Sequence, residues 1–372
     1  MNRKPPAPFR MAANLPCSLV GSIMRRHYFG PAFHFMKNTT TASTIHHATQ
    51  SITAKPPSWT ARMMAHDVAE GLPDFANPRL RTIIDTLMPP DTAELTRKLL
   101  EKTPLEMTAY IRALLLFRNT LAFFRRFSLR HFSNDKDYIN GALRKRFFYD
   151  ETVSAIKRGA KQVITLGAGY DVLCLQLCRQ YPDVLFVEVD QQNTQRIKSH
   201  AVRSLHEGHE GNIPENLAFV SVDFRHQTLA TELKTQLQGR WQPQRLSVSL
   251  VEGVWPYLAE QEIRASLQSF KQISAAGSIY VFTYFALSGN RLQRKLTTAS
   301  TGVFSLIGEP VRYLPDSVGE IASLLNSEDY DADLSAQRTN GYARYIIPAG
   351  FDDYVTPERV LSNFVGVATL RP

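Results

Sequence analysis

The sequence has few cysteines and no long apolar run. Its 372 residues include only Cys17, Cys174 and Cys178, too few for a disulfide framework, which predicts a reducing compartment such as the cytoplasm. No stretch reaches the roughly eighteen apolar residues that cross a bilayer, and the apolar core of a secretory signal is missing. We therefore expect neither a transmembrane segment nor a disulfide-stabilised fold.

Acidic residues are absent from residues 1–66, which hold eight of the basic residues behind the formal net charge of +9. The rest of the chain is nearly neutral, so we expect no nucleic-acid partner. Residues 1–57 are polar and aperiodic, which predicts a disordered tail. The same composition is typical of an organellar transit peptide, which would place the protein in a mitochondrion or another organelle. A true start at Met36 or Met63 is a third interpretation.

Residues 58–142 have a helical pattern and are predicted to form an N-terminal lid region. Within it, residues 110–132 combine an apolar face with several arginines. Such a helix could lie on a membrane surface, but a lid over a substrate pocket is the more ordinary interpretation. The remaining residues, 143–372, are predicted to form the main domain.

A glycine turn between two buried strands is the most informative local pattern. Residues 163–166 are apolar or β-branched and end at Gly167, as in a strand buried on both faces of a parallel sheet. Gly167 and Gly169 allow a turn that a ligand can approach closely. A helical pattern and a second buried strand follow, and that strand ends in Asp190. The arrangement predicts a nucleotide site, in which Asp190 would bind ribose hydroxyls.

The turn lacks the third small residue that dinucleotide-binding enzymes use beside a pyrophosphate. The sequence reads "GAGYDV", and Asp171 at the start of the helix would repel phosphates. A ligand with ribose and adenine but no phosphate fits better, and S-adenosylmethionine is the common one. Cys174 and Cys178, one helical turn apart in the same helix, are expected in the core. Since no second ligand pair is in view, no metal site is predicted.

Buried strands alternate with helices along the rest of the chain, which predicts a doubly wound, mostly parallel α/β sheet. "NLAFVSVDF" and "RLSVSLVEGVWPYL" place Asp223 and Glu252 at strand ends, the edge where ligands bind in such sheets. A strand "GSIYVFTYF", a helix near 317–326 and two late strands, 343–347 and 364–370, are expected to complete the sheet.

Four motifs in order, "LRKRFFYDETVSAIKRGAKQVITLGAGYD", "FVEVD", "VDF" and "LVEGVWPYL", resemble the leucine carboxyl methyltransferase family and its bacterial relatives. The resemblance spans roughly residues 140–260. It implies a class I, Rossmann-like methyltransferase fold and an S-adenosylmethionine cofactor. It also implies methyl transfer to a carboxylate, or to a hydroxyl, of a small molecule or a peptide.

The resemblance assigns roles by position. Arg144 matches the arginine that pairs with the methionine carboxylate of the cofactor, a task suited to a planar guanidinium. Asp223 and Phe224 match the adenine contacts, and Glu252 matches an acid beside the cofactor. Glu188 is also an acid in the family, and we expect it to lie behind the contacting residues. The implied cofactor-binding residues are Arg144, Gly167, Gly169, Asp190, Asp223, Phe224 and Glu252.

Several positions depart from the family pattern. Val172 and Leu173 replace its Thr-Arg, and Phe224 replaces a leucine. The basic residue that an early helix brings to the cofactor carboxylate corresponds to Val68, and Arg62 is a possible substitute. These departures leave open a catalytically degenerate binding protein, and a nicotinamide-dependent oxidoreductase is a further alternative.

Transfer from a sulfonium needs mainly positioning and exclusion of water. A carboxylate acceptor needs no general base, whereas a hydroxyl does. His226 and Tyr257 are weak candidates for that base. Trp255 and Tyr257 are candidates to line the acceptor pocket, with core packing as the alternative.

Overall fold

The computed structural model describes residues 59–70, 78–104, 135–206, 213–223, 226–286, 310–332, 334, 341–357 and 364–372. These residues lie in one compact unit, Lys55–Pro372. The predicted tail, 1–57, and the amphipathic segment, 110–132, lie outside the described residues. The predicted domain boundary at 142 falls within a helix and stays a prediction.

A seven-stranded sheet forms the centre, in the order β3-β2-β1-β4-β5-β7-β6. The first five strands in this order are parallel, and β7 pairs antiparallel with both β5 and β6. This confirms the predicted doubly wound, mostly parallel sheet. The strands are β1 Gln162–Leu166, β2 Leu185–Asp190, β3 Leu217–Ser221, β4 Ser247–Val251, β5 Ile279–Tyr284, β6 Tyr330–Asp331 and β7 Phe364–Leu370.

Helices surround the sheet. Among the described residues, none of them is long and apolar enough to cross a membrane. The α-helices are α1 Trp59–Glu70, α2 Pro78–Leu87, α3 Thr92–Glu101, α4 Asp135–Lys157, α5 Leu173–Leu177, α6 Gln192–His206, α7 Leu229–Leu237, α8 Glu260–Gln272 and α9 Val318–Ser327.

Alternation along the strands builds one core on each face of the sheet. Val163 and Phe186 belong to the core that also buries residues of α2, α3 and α4. Ile164 and Val187, their neighbours in sequence, belong to the core formed with α7, α8 and α9. Because side chains alternate between faces, strands covered on both sides must be apolar throughout, and every residue of β1 is buried. Cys174 and Cys178 are free and buried, as predicted.

The prediction of a strand at 343–347 is wrong. Tyr342–Ile346 instead form a π-helical turn, in which Tyr345 and Ile346 are buried in the core that α4 shares. Arg344 pairs with Glu151 of α4 at 2.5 Å. The β-like composition of this segment is overridden by packing against α4, since β propensity is weak and depends on context. The other late strand, 364–370, forms as predicted.

Candidate functional site

The glycine turn and Asp190 meet at the carboxyl edge of the sheet. Gly167 and Gly169 have positive φ angles of 65° and 48°, which L side chains rarely adopt. The main-chain N–H of Gly169 donates to Oδ2 of Asp190 at 2.6 Å, and that of Gln191 donates to Oδ1 at 2.7 Å. The Asp190 carboxylate therefore faces the turn. A carboxylate has about four lone-pair sites, so it can accept from several donors at once.

This edge contains the switch point of the sheet. β1 lies between β2 and β4, and the chain reverses its direction of strand addition there. Ligands of open α/β sheets bind outside the carboxyl ends of strands at such a point. Gly167 follows β1 and Glu252 follows β4, so these two residues flank the crevice.

The turn has no room for a side chain at Gly167. A Cβ atom there would lie 2.6 Å from Cγ2 of Val254. We expect Gly167→Ala to lower the free energy of unfolding by about 2 kcal/mol, because left-handed backbone strain and overpacking add together. Urea denaturation measures the change.

Gly253→Ala is the matched control for this prediction. Gly253 also has a positive φ, of 70°, but among the described residues nothing lies within 4 Å of an added Cβ. The Gly253→Ala variant should therefore lose only the free energy of unfolding that backbone strain costs, about 1 kcal/mol. A double variant, Gly167→Ala with Val254→Ala, should recover the difference, and equal losses for the two single variants would refute the crowding argument.

Helix α1 covers the turn and brings a buried cation to it. A Cβ atom at Gly169 would lie 2.9 Å from Cβ of Ala61. Arg62 is fully buried, donates to Oγ1 of Thr103 at 2.5 Å and lies 5.4 Å from the ring centroid of Tyr170. Burial raises the pKa of the Tyr170 hydroxyl, and the charge of Arg62 opposes that rise. The cation that α1 places against the turn is thus Arg62, whereas Val68 is only partly buried.

Four charged side chains form a cluster between α4, the glycine turn and the end of β4. Nε of Arg144 lies 2.8 Å from Oε1 of Glu252, and Nζ of Lys145 lies 3.0 Å from Oε2 of the same residue. Lys145 also pairs with Asp171. The four side chains are only 13–18% exposed. We call Arg144, Lys145, Asp171 and Glu252 the charge cluster; its formal net charge is zero.

The members of the charge cluster hold one another ionised. Burial disfavours the charge of Lys145, but Asp171 and Glu252 outweigh it and raise the pKa of Lys145. Burial likewise opposes ionisation of Asp171, but Lys145 and Lys198 outweigh it and lower the pKa of Asp171. A buried site holding two cations and two carboxylates can exchange its internal pairs for those of a zwitterion.

Sequence reasoning identified Arg144 and Glu252 but missed two features of the cluster. Lys145 was not identified, although it stands next to Arg144 in the run "RKRF". Asp171 was interpreted only as repelling phosphate, whereas it also accepts from Lys145 and from the main-chain N–H of Leu173. No local signal separates Lys145 from the solvated residues of a basic run.

Asp223 and His226 follow β3, and Tyr257 follows β4. Asp223 follows β3 and accepts, through its main-chain oxygen, from the N–H of His226 at 2.9 Å. His226 itself is exposed, and Phe224 lies outside the described residues. Tyr257 is partly buried in a short 3-10 helix.

Trp255 does not behave as a pocket residue. Its side chain is fully buried and stacks on Phe282, with ring centroids 4.3 Å apart. Its Nε1 donates to the Tyr280 hydroxyl at 3.3 Å. Core packing, the alternative to a role in the acceptor pocket, is therefore what the structure shows for Trp255.

Comparisons with known proteins confirm the resemblance seen in the sequence. Residues 127–271 match the leucine carboxyl methyltransferase family. A Parafrankia sp. (strain EAN1pec) protein, provisionally named an S-adenosyl-L-methionine-dependent methyltransferase, is 32% identical over 137 residues, or 37% of this chain. The aligned segment spans 41% of that relative's length. The predicted enzyme class and cofactor agree with these names.

Two solved structures are similar over most of the chain. A provisionally named methyltransferase from Thermobifida fusca YX is 15% identical and has a TM-score of 0.45, covering 86% of this chain and 97% of its own. A DUF574 family protein from Streptomyces avermitilis is 13% identical at the same score of 0.45, covering 85% and 98%.

Proposed function

We propose that this chain, whose residues 127–271 match the leucine carboxyl methyltransferase family, is an S-adenosylmethionine-dependent O-methyltransferase. The observation that carries the proposal is the charge cluster beside the glycine turn. It is neutral, only slightly exposed, and located at the switch point of the sheet. The amino-acid end of S-adenosylmethionine presents an ammonium and a carboxylate, which match the two kinds of charge in the cluster.

The cluster also argues against a dinucleotide. A pyrophosphate binds where backbone N–H groups and positive charge face it without a competing anion. Here Asp171 lies at the start of α5, and its carboxylate caps the N–H of Leu173 at 2.6 Å. The anion that this helix terminus would attract is thus already supplied by the protein. A nicotinamide-dependent oxidoreductase is the weaker proposal for this reason.

Each predicted residue has a role in the proposed site. The two outer guanidinium nitrogens of Arg144 would donate to the cofactor carboxylate. Its Nε would keep the hydrogen bond that it now donates to Oε1 of Glu252 at 2.8 Å. Asp190, at the end of β2, would accept from the ribose hydroxyls. Gly167 and Gly169 would let the cofactor approach the backbone. Asp223 and Phe224 would contact the adenine.

The chemistry asks the protein mainly for positioning. When bound, S-adenosylmethionine would supply a methyl group that its sulfonium already activates for transfer to an oxygen. The chain holds the reacting atoms close together and excludes water, which accounts for much of the rate in such reactions. A carboxylate of a small molecule or a peptide is the proposed acceptor, since it needs no base. A hydroxyl acceptor would need His226 or Tyr257 as that base.

A thermal-shift measurement tests the cofactor. We expect S-adenosylhomocysteine at a hundred times its Kd to stabilise the protein by about 2.7 kcal/mol, because it binds the native state alone. The apparent Tm should rise by several degrees. NADH at the same concentration should leave Tm unchanged, and the reverse pattern would favour the oxidoreductase. Binding without turnover, tested with a labelled methyl donor and a cell extract, would indicate a catalytically degenerate binding protein.

We also propose a cytoplasmic location, with an organelle as the alternative if residues 1–57 are a transit peptide. The few cysteines support a reducing compartment. The proposed partner is the methyl acceptor, not a nucleic acid, because charge outside the first 66 residues is nearly balanced.

A further inference from the structure

A buried ion pair lies directly behind the glycine turn, and none of the roles proposed above uses it. Nζ of Lys198, on α6, lies 2.6 Å from Oε2 of Glu188, on β2, and the two side chains are 0% and 2% exposed. Lys198 also donates to the main-chain oxygen of Asp171. The side chain of Gln195 donates to the main-chain oxygen of Glu188 at 2.7 Å. Sequence reasoning did not identify Lys198.

We infer that Lys198 is a positioning residue that holds the glycine turn through the Asp171 carbonyl, with Glu188 as its counter-charge. Asp171 is thereby held from two directions. Its side chain is bound by Lys145 and by the N–H of Leu173, and its carbonyl is bound by Lys198. Because both the carboxylate and the carbonyl of Asp171 are held, they fix the position of the charge cluster relative to the turn.

The energetics favour this role over simple stabilisation. Replacing a buried ion pair by apolar side chains is often neutral or stabilising, so such a pair is weak evidence for stability. The Lys198 side chain has no surface exposed to water, so its ammonium interacts with Glu188 and the Asp171 carbonyl in place of solvent. The carboxylate of Glu188, 2.6 Å from the ammonium, is the ion-pair partner that holds it beside the turn. Strand β2 thus contacts the turn in two ways. Asp190 accepts directly from Gly169, and Glu188, two residues earlier, acts through Lys198 on Asp171.

The ionisation of Glu188 is set by its surroundings. The titratable groups that face it are Lys198 from α6, Asp171 from the turn, Asp190 from β2, Cys174 from α5 and Cys178 directly after α5. Burial raises the pKa of Glu188 to about 7, with Lys198 opposing the rise. Protonation of Glu188 removes the cost of burying its charge, but it also takes from the ammonium the counter-charge at 2.6 Å, which loosens the turn. By linkage, a ligand that binds the held turn must lower the pKa of Glu188 and release a proton.

The sign for stability follows from the same shift. Because the pKa of Glu188 is raised from 4.5 to about 7 by folding, the folded protein binds a proton there that the unfolded chain has lost. The stability from this group is fully present below pH 4.5 and declines as the pH rises to about 7. The difference in free energy of unfolding between the wild type and Glu188→Gln should decline over the same window.

The first test is amide hydrogen exchange of the free protein, which requires no ligand. We expect Lys198→Met to speed exchange of the Gly169, Asp171 and Leu173 amides about tenfold relative to the strands. Arg196→Met is the matched control, since Arg196 is an exposed cation on the same helix, and it should change nothing at the turn. Unchanged exchange in Lys198→Met would overturn the inference.

The second test rests on the proposed cofactor. Lys198→Met should weaken S-adenosylhomocysteine binding about tenfold, and Arg196→Met should not. Calorimetry of S-adenosylhomocysteine binding near pH 7 in two buffers should show proton release by the wild type and none by Glu188→Gln. This comparison keeps the inference testable if the Lys198→Met protein fails to fold. Equal proton release by both proteins would contradict the role of Glu188. Failure of the wild type to bind would instead count against the proposed function, and the exchange result would stand.

Discussion

Arg144→Ala is expected to weaken S-adenosylhomocysteine binding several hundredfold. The loss has two parts, because the variant removes the guanidinium proposed for the cofactor carboxylate and leaves Glu252, 14% exposed, without its 2.8 Å partner. Truncating one member of a buried, hydrogen-bonded charge pair costs roughly 2–5 kcal/mol in binding, and 1.4 kcal/mol is about tenfold in Kd. Isothermal titration calorimetry at constant salt measures the change.

Two further variants make this result specific. Arg146→Ala removes a cation two residues along α4 that pairs with Asp150 at 3.1 Å within the helix, and it should bind normally. Arg144→Lys keeps the charge but loses the planar fork, so it should recover only part of the affinity. If Arg144→Ala binds as tightly as Arg146→Ala, the proposed carboxylate contact is wrong.

Asp190→Ala should have an effect of similar size, roughly hundredfold on cofactor affinity. The carboxylate accepts from the N–H groups of Gly169 and Gln191 at 2.6 and 2.7 Å, and we propose that it also accepts from the ribose. Its removal leaves two backbone donors near the sheet edge without their acceptor and the ribose without its anchor. Hydrogen bonds to charged groups contribute about 1.5–3 kcal/mol each.

The control for this variant lies just before the same strand. Asp183 is exposed near the opposite end of β2, so Asp183→Ala should leave both affinity and stability unchanged. Asp190→Asn retains one acceptor oxygen, and it keeps the test usable if Asp190→Ala unfolds. Adenosine, which has the ribose but not the amino-acid end, should lose affinity for Asp190→Ala as S-adenosylhomocysteine does. Adenosine should bind Arg144→Ala nearly normally, and a loss shared by both ligands would mean that Arg144 acts on the turn as a whole.

The local patterns of the chain were sufficient to predict the sheet and its binding edge. Strands buried on both faces are continuously apolar, and a turn with positive φ requires glycine, so β1, the turn at Gly167 and the position of Asp190 can be inferred from residues close together in sequence. The resemblance to known methyltransferases then placed Arg144 beside that turn, 23 positions before Gly167 in the sequence. The ion pairs of α4 with Asp171 and Glu252 agree with that placement.

What the sequence alone determined is therefore the parallel part of the sheet, β1 to β5, and the type of ligand edge that these strands form. The tertiary structure decided that Trp255 lies in the core, that Tyr342–Ile346 form a helical turn, and that Lys145 and Lys198 are held in ion pairs with little or no exposure to solvent. The physical reason is that periodicity and turn chemistry act between neighbours in sequence. Burial of a charge is decided by partners from other elements: Lys145 meets Glu252 across 107 positions, and only the folded sheet brings them together.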